Sequence, residues 1–246
     1  MKELIRRAVN RLGYDVVRRR SSNDTLSSHL SNVFSAKNID CVIDVGANSG
    51  QYGKFLREMG FNGHIVSFEP VKEVFKLLAA SVERDSKWRC YNFALGERDE
   101  EKTMNVYKSS VFSSFLEATE YSKGIWNSLN TSARETVSVR RLDSLFDEIL
   151  ESTSCHNFFL KLDTQGFDSY VFKGASEVLS MVPAMQSELS LISVYKSAPE
   201  IFTALQEYHA KNYFISGMYP INRDESLAVI EYDCVLVKRN AVTTTN

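Results

Sequence analysis

No stretch of the chain is apolar for long enough to cross a bilayer, which takes about 20 consecutive residues. A Cys-x-x-Cys pair is also missing. The four cysteines, Cys41, Cys90, Cys155 and Cys234, stand far apart, so neither a zinc ribbon nor a dithiol motif is encoded. Cys41, Cys90 and Cys234 fall in strand-like apolar runs and read as small buried hydrophobes, which suits a reducing, cytoplasmic setting. His29, His64, His156 and His209 form no cluster with acids at ligand spacing, and read as structural or solvated. There is no basic excess, the formal net charge being −2, which argues against nucleic acid as a partner. Apolar content of 43% with 24% charged residues over 246 positions fits one soluble α/β domain with a large core.

A glycine is missing too. Cys41-Val42-Ile43-Asp44-Val45 leads into Gly46-Ala47-Asn48-Ser49-Gly50. A dinucleotide site wants Gly-x-Gly-x-x-Gly, so that backbone can press on a pyrophosphate at a helix N-terminus. Here Asn48 stands where the second glycine belongs, and Asp44 would repel a pyrophosphate while favouring a cationic amino group. A second apolar run, from His64 to Phe68, ends in Glu69, an acid suited to a bidentate hydrogen bond to ribose hydroxyls. Ribose beside a cation, without pyrophosphate, describes S-adenosylmethionine (SAM) better than a nicotinamide dinucleotide.

Periodicity supplies the frame. Strands are expected at 39–45, 64–69, 88–95, 158–163 and 183–191, with strand-like segments at 102–108 and 136–141. Helices are expected over 50–60, from Pro70 onward with Val71, Val74, Phe75, Leu78 and Val82 inward, over 143–151, and from Phe167 to Leu179. Ser197-Ala198-Pro199-Glu200 reads as a capping box opening another helix. Strands at 212–218 and 229–238, joined by a polar turn, should pair antiparallel. Residues 109–135 form a long Ser/Thr-rich stretch with Phe115, Tyr121 and Trp126, of the kind that is functional or disordered; it is the expected acceptor-side loop.

These motifs in this order resemble the FkbM family of SAM-dependent methyltransferases. The marks are Ile43 to Tyr52, Phe68-Glu69-Pro70, Asn92 to Gly96, Leu142 to Leu145 and Leu160 to Asp168. The resemblance runs from about Ile39 to Lys238. It implies a Rossmann-like class I methyltransferase, with a mostly parallel seven-stranded sheet, an antiparallel last hairpin and helices on both faces. It also implies methyl transfer to a hydroxyl, typically of a sugar or polyketide-like acceptor. The family motif usually reads Asp-x-Glu-Gly where this chain has Asp163-Thr164-Gln165-Gly166. Gln165 still hydrogen-bonds, but it is no base and a weak metal ligand.

Ligands in open α/β sheets lie beyond the carboxyl ends of the strands. Asp44 is assigned to the region of the methionine ammonium, directly or through water. Gly46, Ala47, Asn48 and Gly50 offer backbone to the methionine portion, and Gln51 a side chain. Glu69 is assigned to the ribose, and Asn92 or Ala94 to the adenine border, with a satisfied strand-end role as the alternative for Asn92. An alcohol acceptor must lose a proton. Asp163, ending a strand that faces the cofactor, is the first candidate base; its alternative role is to orient the methionine moiety or the loop. Glu188 is the second, because a glutamate in an apolar strand is costly unless paired or functional. A single Mg²⁺ on Asp163 and another acid stays open, since magnesium needs few protein ligands.

The domain is expected over 39–240, preceded by a basic helical extension, 1–38. Its first twenty residues carry Lys2, Arg6, Arg7, Arg11, Arg18, Arg19 and Arg20 with apolar residues at helical spacing. They read as a helix docked on the domain with a solvated basic face, or else as a peripheral contact with an anionic membrane. The expected acceptor is a glycoside, a nucleotide sugar or a glycan precursor. The rival readings are a SAM-fold scaffold without turnover and, less favoured, a nicotinamide oxidoreductase.

Overall fold

The structure, a computed structural model, describes residues 25–239. The basic segment 1–20 lies outside them, as does the first part of the expected 1–38 extension. Helix α1 (Leu26–Ala36) opens the described chain on a capping box between Thr25 and Ser28. Strand β1 (Cys41–Val45), helix α2 (Gln51–Glu58), strand β2 (His64–Phe68), helix α3 (Lys72–Val82) and strand β3 (Trp88–Tyr91) follow. After an excursion described below come helix α5 (Leu142–Thr153), strand β7 (Phe158–Leu162), helix α6 (Asp168–Lys173) and strand β8 (Ala184–Ser190). Helix α7 (Ile201–Ala210) and strands β9 (Tyr213–Arg223) and β10 (Val229–Lys238) complete the chain.

The main sheet has seven strands in the order β3-β2-β1-β7-β8-β10-β9. β1, β2, β3, β7 and β8 pair in parallel, and β10 runs antiparallel to both β8 and β9. The chain leaves β1 toward β2 and β3, then returns to β7 on the opposite side. That makes the β1/β7 junction the switch point where a crevice opens.

Alternation along the strands feeds two cores. Val42, Phe159, Ala184 and Val235 point to one face, where they meet Leu30, Val33 and Phe34 of α1 together with Leu56 and Leu78. Ile43, Val45, Leu160, Leu162 and Met185 point to the other, against Leu145 and Phe146 of α5, Phe172 of α6 and Tyr208 of α7. α1 is therefore part of the same core as the sheet. His29 ties it to the far edge, bonding Ser216 Oγ and the Tyr219 hydroxyl, each at 2.8 Å.

The expected strand 88–95 divides. Trp88–Tyr91 stays in the main sheet, while Ala94–Leu95 (β4) joins a second sheet of order β4-β6-β5. The break falls at Asn92, whose side chain donates to the carbonyls of Glu69 and Pro70 at 2.9 and 3.0 Å and turns the chain. In that second sheet β5 (Glu100–Tyr107) and β6 (Ser132–Arg140) pair antiparallel. The 109–135 stretch is thereby ordered between them. Its helix α4 (Glu120–Ile125) is flanked by single turns at Ser110–Phe112 and Asn127–Leu129, and Ser114 bridges to Asn105.

Two expected helix limits differ. α6 ends at Lys173, and a separate turn at Val178–Met181 follows. The capping box at 197–200 does not form. Ser197 sits at φ +60, away from the extended backbone an N-cap needs, and the helix starts at Ile201 with no side-chain cap.

Candidate functional site

The turn after β1 is set by Gly46. Its φ is +76, and a Cβ there would lie 1.9 Å from the Asp163 carbonyl oxygen, so only glycine lets the two strand ends meet. The Gly46 and Ala47 N–H groups donate to the Phe68 carbonyl at 3.1 and 3.0 Å. Asn48 follows at φ +48, and its N–H donates to Glu69 Oε2 at 2.9 Å. Glu69 Oε1 accepts from the Val71 N–H, also at 2.9 Å. Each carboxylate oxygen thus holds one backbone donor and keeps a free acceptor direction. Burial pushes the Glu69 carboxyl up to about 7, against the downward pull of those two N–H groups.

A cavity of about 580 Å³ opens beyond the strand ends. One end is apolar apart from Glu69, with Phe68, Ala94, Leu95, Met104, Phe115 and Phe167 around it. Phe115 packs 4.8 Å from Phe167, which stacks on Tyr170 at 4.3 Å. The segment Ser110–Phe115 crosses the cavity as a strap. Asn48 Nδ2 donates to Ser110 Oγ at 3.0 Å at one end of it, and Ser114 Oγ donates to the Gln165 carbonyl at 2.7 Å at the other. Ser113 lines the cavity with a buried hydroxyl that has no hydrogen-bond partner.

The other end is acidic. Asp163, Glu188, Glu231 and Asp233 line it, and Lys161 is the only Lys or Arg on the cavity wall among the described residues. Lys161 Nζ lies 3.1 Å from Asp44 Oδ1, 3.3 Å from Asp163 Oδ2 and 3.3 Å from the Gly46 carbonyl. Burial opposes its charge, yet Asp163 and Asp44 more than offset that and raise its proton affinity. Burial pushes the Asp233 carboxyl up to about 6 although Gln186 donates to it at 2.8 Å. Tyr52 donates in turn to Gln186 Oε1 at 2.9 Å. Glu188 is raised well above the carboxylate range by burial, then by Asp163, Glu231, Asp168 and Asp233. Gln165 Nε2 donates to Glu188 Oε2 at 2.7 Å and to Asp163 Oδ1 at 3.0 Å. The Tyr195 hydroxyl lies 2.8 Å from both Gln165 Oε1 and the Phe112 carbonyl, two acceptors for one proton.

The cavity brings together Gly46, Ala47, Asn48, Gln51, Glu69, Ala94, Asp163 and Glu188 from the expected set. Three expected residues lie off it. Asp44 is fully buried, taking Ser67 Oγ at 3.0 Å and the Lys161 ammonium, so its charge is already met inside the protein. Gly50, at φ +87, faces Leu78 and Trp88 in the core as the N-cap of α2. Asn92 spends both side-chain bonds on the carbonyls of Glu69 and Pro70.

Sequence reasoning missed Lys161, Tyr195, Glu231 and Asp233. A signal existed for three of them: Lys161 in Phe-Phe-Leu-Lys-Leu, and Glu231 and Asp233 in an otherwise apolar strand, carry the same burial cost that singled out Glu188. Among the described residues no group of three or more His, Cys, Asp or Glu is arranged to hold a metal ion, and no helix is long and apolar enough to cross a membrane.

A profile described as the methyltransferase FkbM domain matches residues 44–214. No curated protein sequence matches the chain. Among solved structures, WbdD aligns over 92% of this chain and 41% of its own, at 12% identity and a TM-score of 0.47. An rRNA methylase from Streptococcus thermophilus aligns over 88% and 99%, at 9% identity and 0.44. Aeropyrum pernix fibrillarin, solved with natively bound S-adenosyl-L-methionine, aligns over 80% and 66%, at 9% identity and 0.43.

Proposed function

Because the chain belongs to the FkbM methyltransferase family, we propose that it moves a methyl group from SAM to a hydroxyl of a sugar-like acceptor. The observation that carries this reading is Glu69, a buried carboxylate with two backbone donors and two remaining acceptor directions, set at the rim of an apolar slot. That arrangement suits ribose hydroxyls with an adenine beside them. The unpaired Ser113 hydroxyl adds a polar group that a bound ligand would satisfy. A pyrophosphate finds no such welcome. Among the described residues the single cation on the wall is committed to Asp44 and Asp163, which supports SAM over a nicotinamide dinucleotide.

SAM supplies a methyl carbon already activated by its sulfonium. The protein's part is alignment and exclusion of water, which lower the barrier of an in-line displacement. The strap from Ser110 to Phe115, held at both ends, covers the cavity and fixes its depth. The acceptor's hydroxyl proton passes to a carboxylate oxygen of the Asp163–Glu188 pair; among the described residues Gln165 donates to Glu188 Oε2 and none donates to its Oε1. An acidic lining whose lysine is already paired with Asp44 and Asp163 disfavours a phosphate-bearing acceptor by Coulomb repulsion. A glycoside or glycan precursor therefore fits better than a nucleotide sugar.

Calorimetric titration tests the donor site. SAM should bind saturably, NAD⁺ should not, and Glu69→Ala should weaken SAM about 100-fold, equivalent to about 2.7 kcal/mol. Well-folded protein that ignores SAM would sink the reading and leave a scaffold role. A screen of methyl glycosides beside the corresponding sugar phosphates tests the acceptor, with turnover expected on the uncharged set.

A further inference from the structure

Gln165 stands where the family motif has an acid, and its geometry gives the amide a job. Its Nε2 carries two protons, and two carboxylate oxygens face it: Asp163 Oδ1 at 3.0 Å and Glu188 Oε2 at 2.7 Å. The amide cannot be turned round without cost, because its oxygen would then meet the lone pairs of both acids. The backbone is held in the left-handed region, φ +55, which costs roughly 1–2 kcal/mol for a residue with a side chain. The Ser114 hydroxyl grips its carbonyl at 2.7 Å and the Tyr195 hydroxyl its Oε1 at 2.8 Å. A side chain with three hydrogen-bond partners, on a strained backbone gripped at its carbonyl, is being aimed.

We propose that Gln165 is a positioning residue that clamps Asp163 and Glu188 into a single proton-accepting pair, with Tyr195 fixing the amide's orientation. The proposal rests on the methyl-transfer reading and names how its proton acceptor is assembled. Asp163 directly follows β7 and Glu188 lies in β8; without a shared donor these two acids would face each other unbridged across the crevice. The amide supplies the bridge. Glutamate at 165 would put a third carboxylate there, and the three could share the space only by binding protons.

The groups that set the pair's ionisation come from every neighbouring element. Asp168 faces Glu188 from α6, where its Oδ2 takes the Glu188 N–H at 3.2 Å. Glu231 and Asp233 face it from β10, and Tyr195 from the segment after β8. Lys161 balances the Asp163 side at 3.3 Å. Within this acidic surround the amide offers each of the two carboxyl groups an N–H donor.

The test is a ¹³C NMR titration of carboxyl-labelled Asp and Glu in the full chain, with Asp163→Asn and Glu188→Gln used to assign the two signals. Gln165→Met, similar in length but without a donor, should move the midpoint of the pair upward by at least about one pH unit. Gln165→Glu should move it further. Tyr195→Phe, which leaves Gln165 in place, should give a smaller shift of the same sign and serves if the Gln165 variants fold poorly. Midpoints unchanged in all three would overturn the proposal. If wild-type protein itself binds no SAM, the methyl-transfer reading falls while the titration still judges the clamp.

Discussion

Glu69 and Glu188 are both glutamates in the cavity wall of one sheet, yet they are supported in opposite ways. Glu69 leans on backbone, through the N–H groups of Asn48 and Val71. Glu188 leans on side chains, through Gln165 and, behind it, Tyr195. Backbone donors come with the turn and cannot rotate away. Side-chain donors must be aimed by further contacts, and each can be reset by one substitution. The donor end of the cavity is accordingly a fixture of the fold, while the acidic end is an assembly of separately adjustable parts.

Lys161 sits where the two ends meet, so its loss should do most to break the contrast. Lys161→Met leaves Asp44 buried without its cation, at a cost of about 3–5 kcal/mol. Thermal unfolding should show the loss, and both SAM binding and the Asp163 titration should be disturbed together. A drop of under 1 kcal/mol would mean that Asp44 finds another partner.

A smaller effect separates the ends by pH. Burial raises the proton affinity of Glu69, Glu188 and Asp233 above their ordinary values. Between roughly pH 4 and about 7 the folded protein therefore holds more protons than the unfolded chain, and stability falls as pH rises through that window. The unliganded protein should melt highest in mild acid. Glu188→Gln should raise the melting temperature at pH 8 more than at pH 5, by about 2–4 °C for each kcal/mol recovered. Equal shifts at the two pH values would show that Glu188 is ionised in both.

The smallest expected change sharpens the contrast at the donor end. Asn92→Ala removes two bonds to the carbonyls of Glu69 and Pro70, costing about 1–2 kcal/mol of stability. Calorimetry should find SAM affinity within about twofold of wild type, because Asn92 touches the chain beneath Glu69 and lies off the cavity wall. A tenfold loss would return Asn92 to the adenine border.

Legibility in the sequence follows the same division. The donor end is local. Strand, glycine turn and acid fall within residues 41–69, and Glu69, Asn48 and Gly46 lie where their spacing puts them. For Asp44 the motif records that an acid is present and omits its partner. Lys161, more than a hundred residues away, meets its charge. The acidic end draws on β7, β8, β10 and the segment carrying Tyr195, brought together only by the order β7-β8-β10. No local pattern joins Gln165 to Tyr195. The burial cost of a charged residue in an apolar strand was the one usable cue, and it applied to Glu231 and Asp233 as much as to Glu188. The second sheet was hidden for a similar reason, since β5 and β6 are separated by a long insertion yet pair along their whole length.

That insertion has a consequence for how such enzymes diversify. It hangs between two paired strands, so its length can change without shifting the register of either sheet. Within it, Val111 and Phe112 line the cavity, while Trp126 packs against Phe112 behind them. The insertion's anchors limit such changes: Ser110 on Asn48, Ser114 on Gln165 and Asn105, Phe112 on Tyr195, and Ala118 to Ser122 on the segment after β8. A graft that keeps these contacts should leave the turn after β1 and Glu69 undisturbed, which calorimetry with SAM on the grafted protein would check.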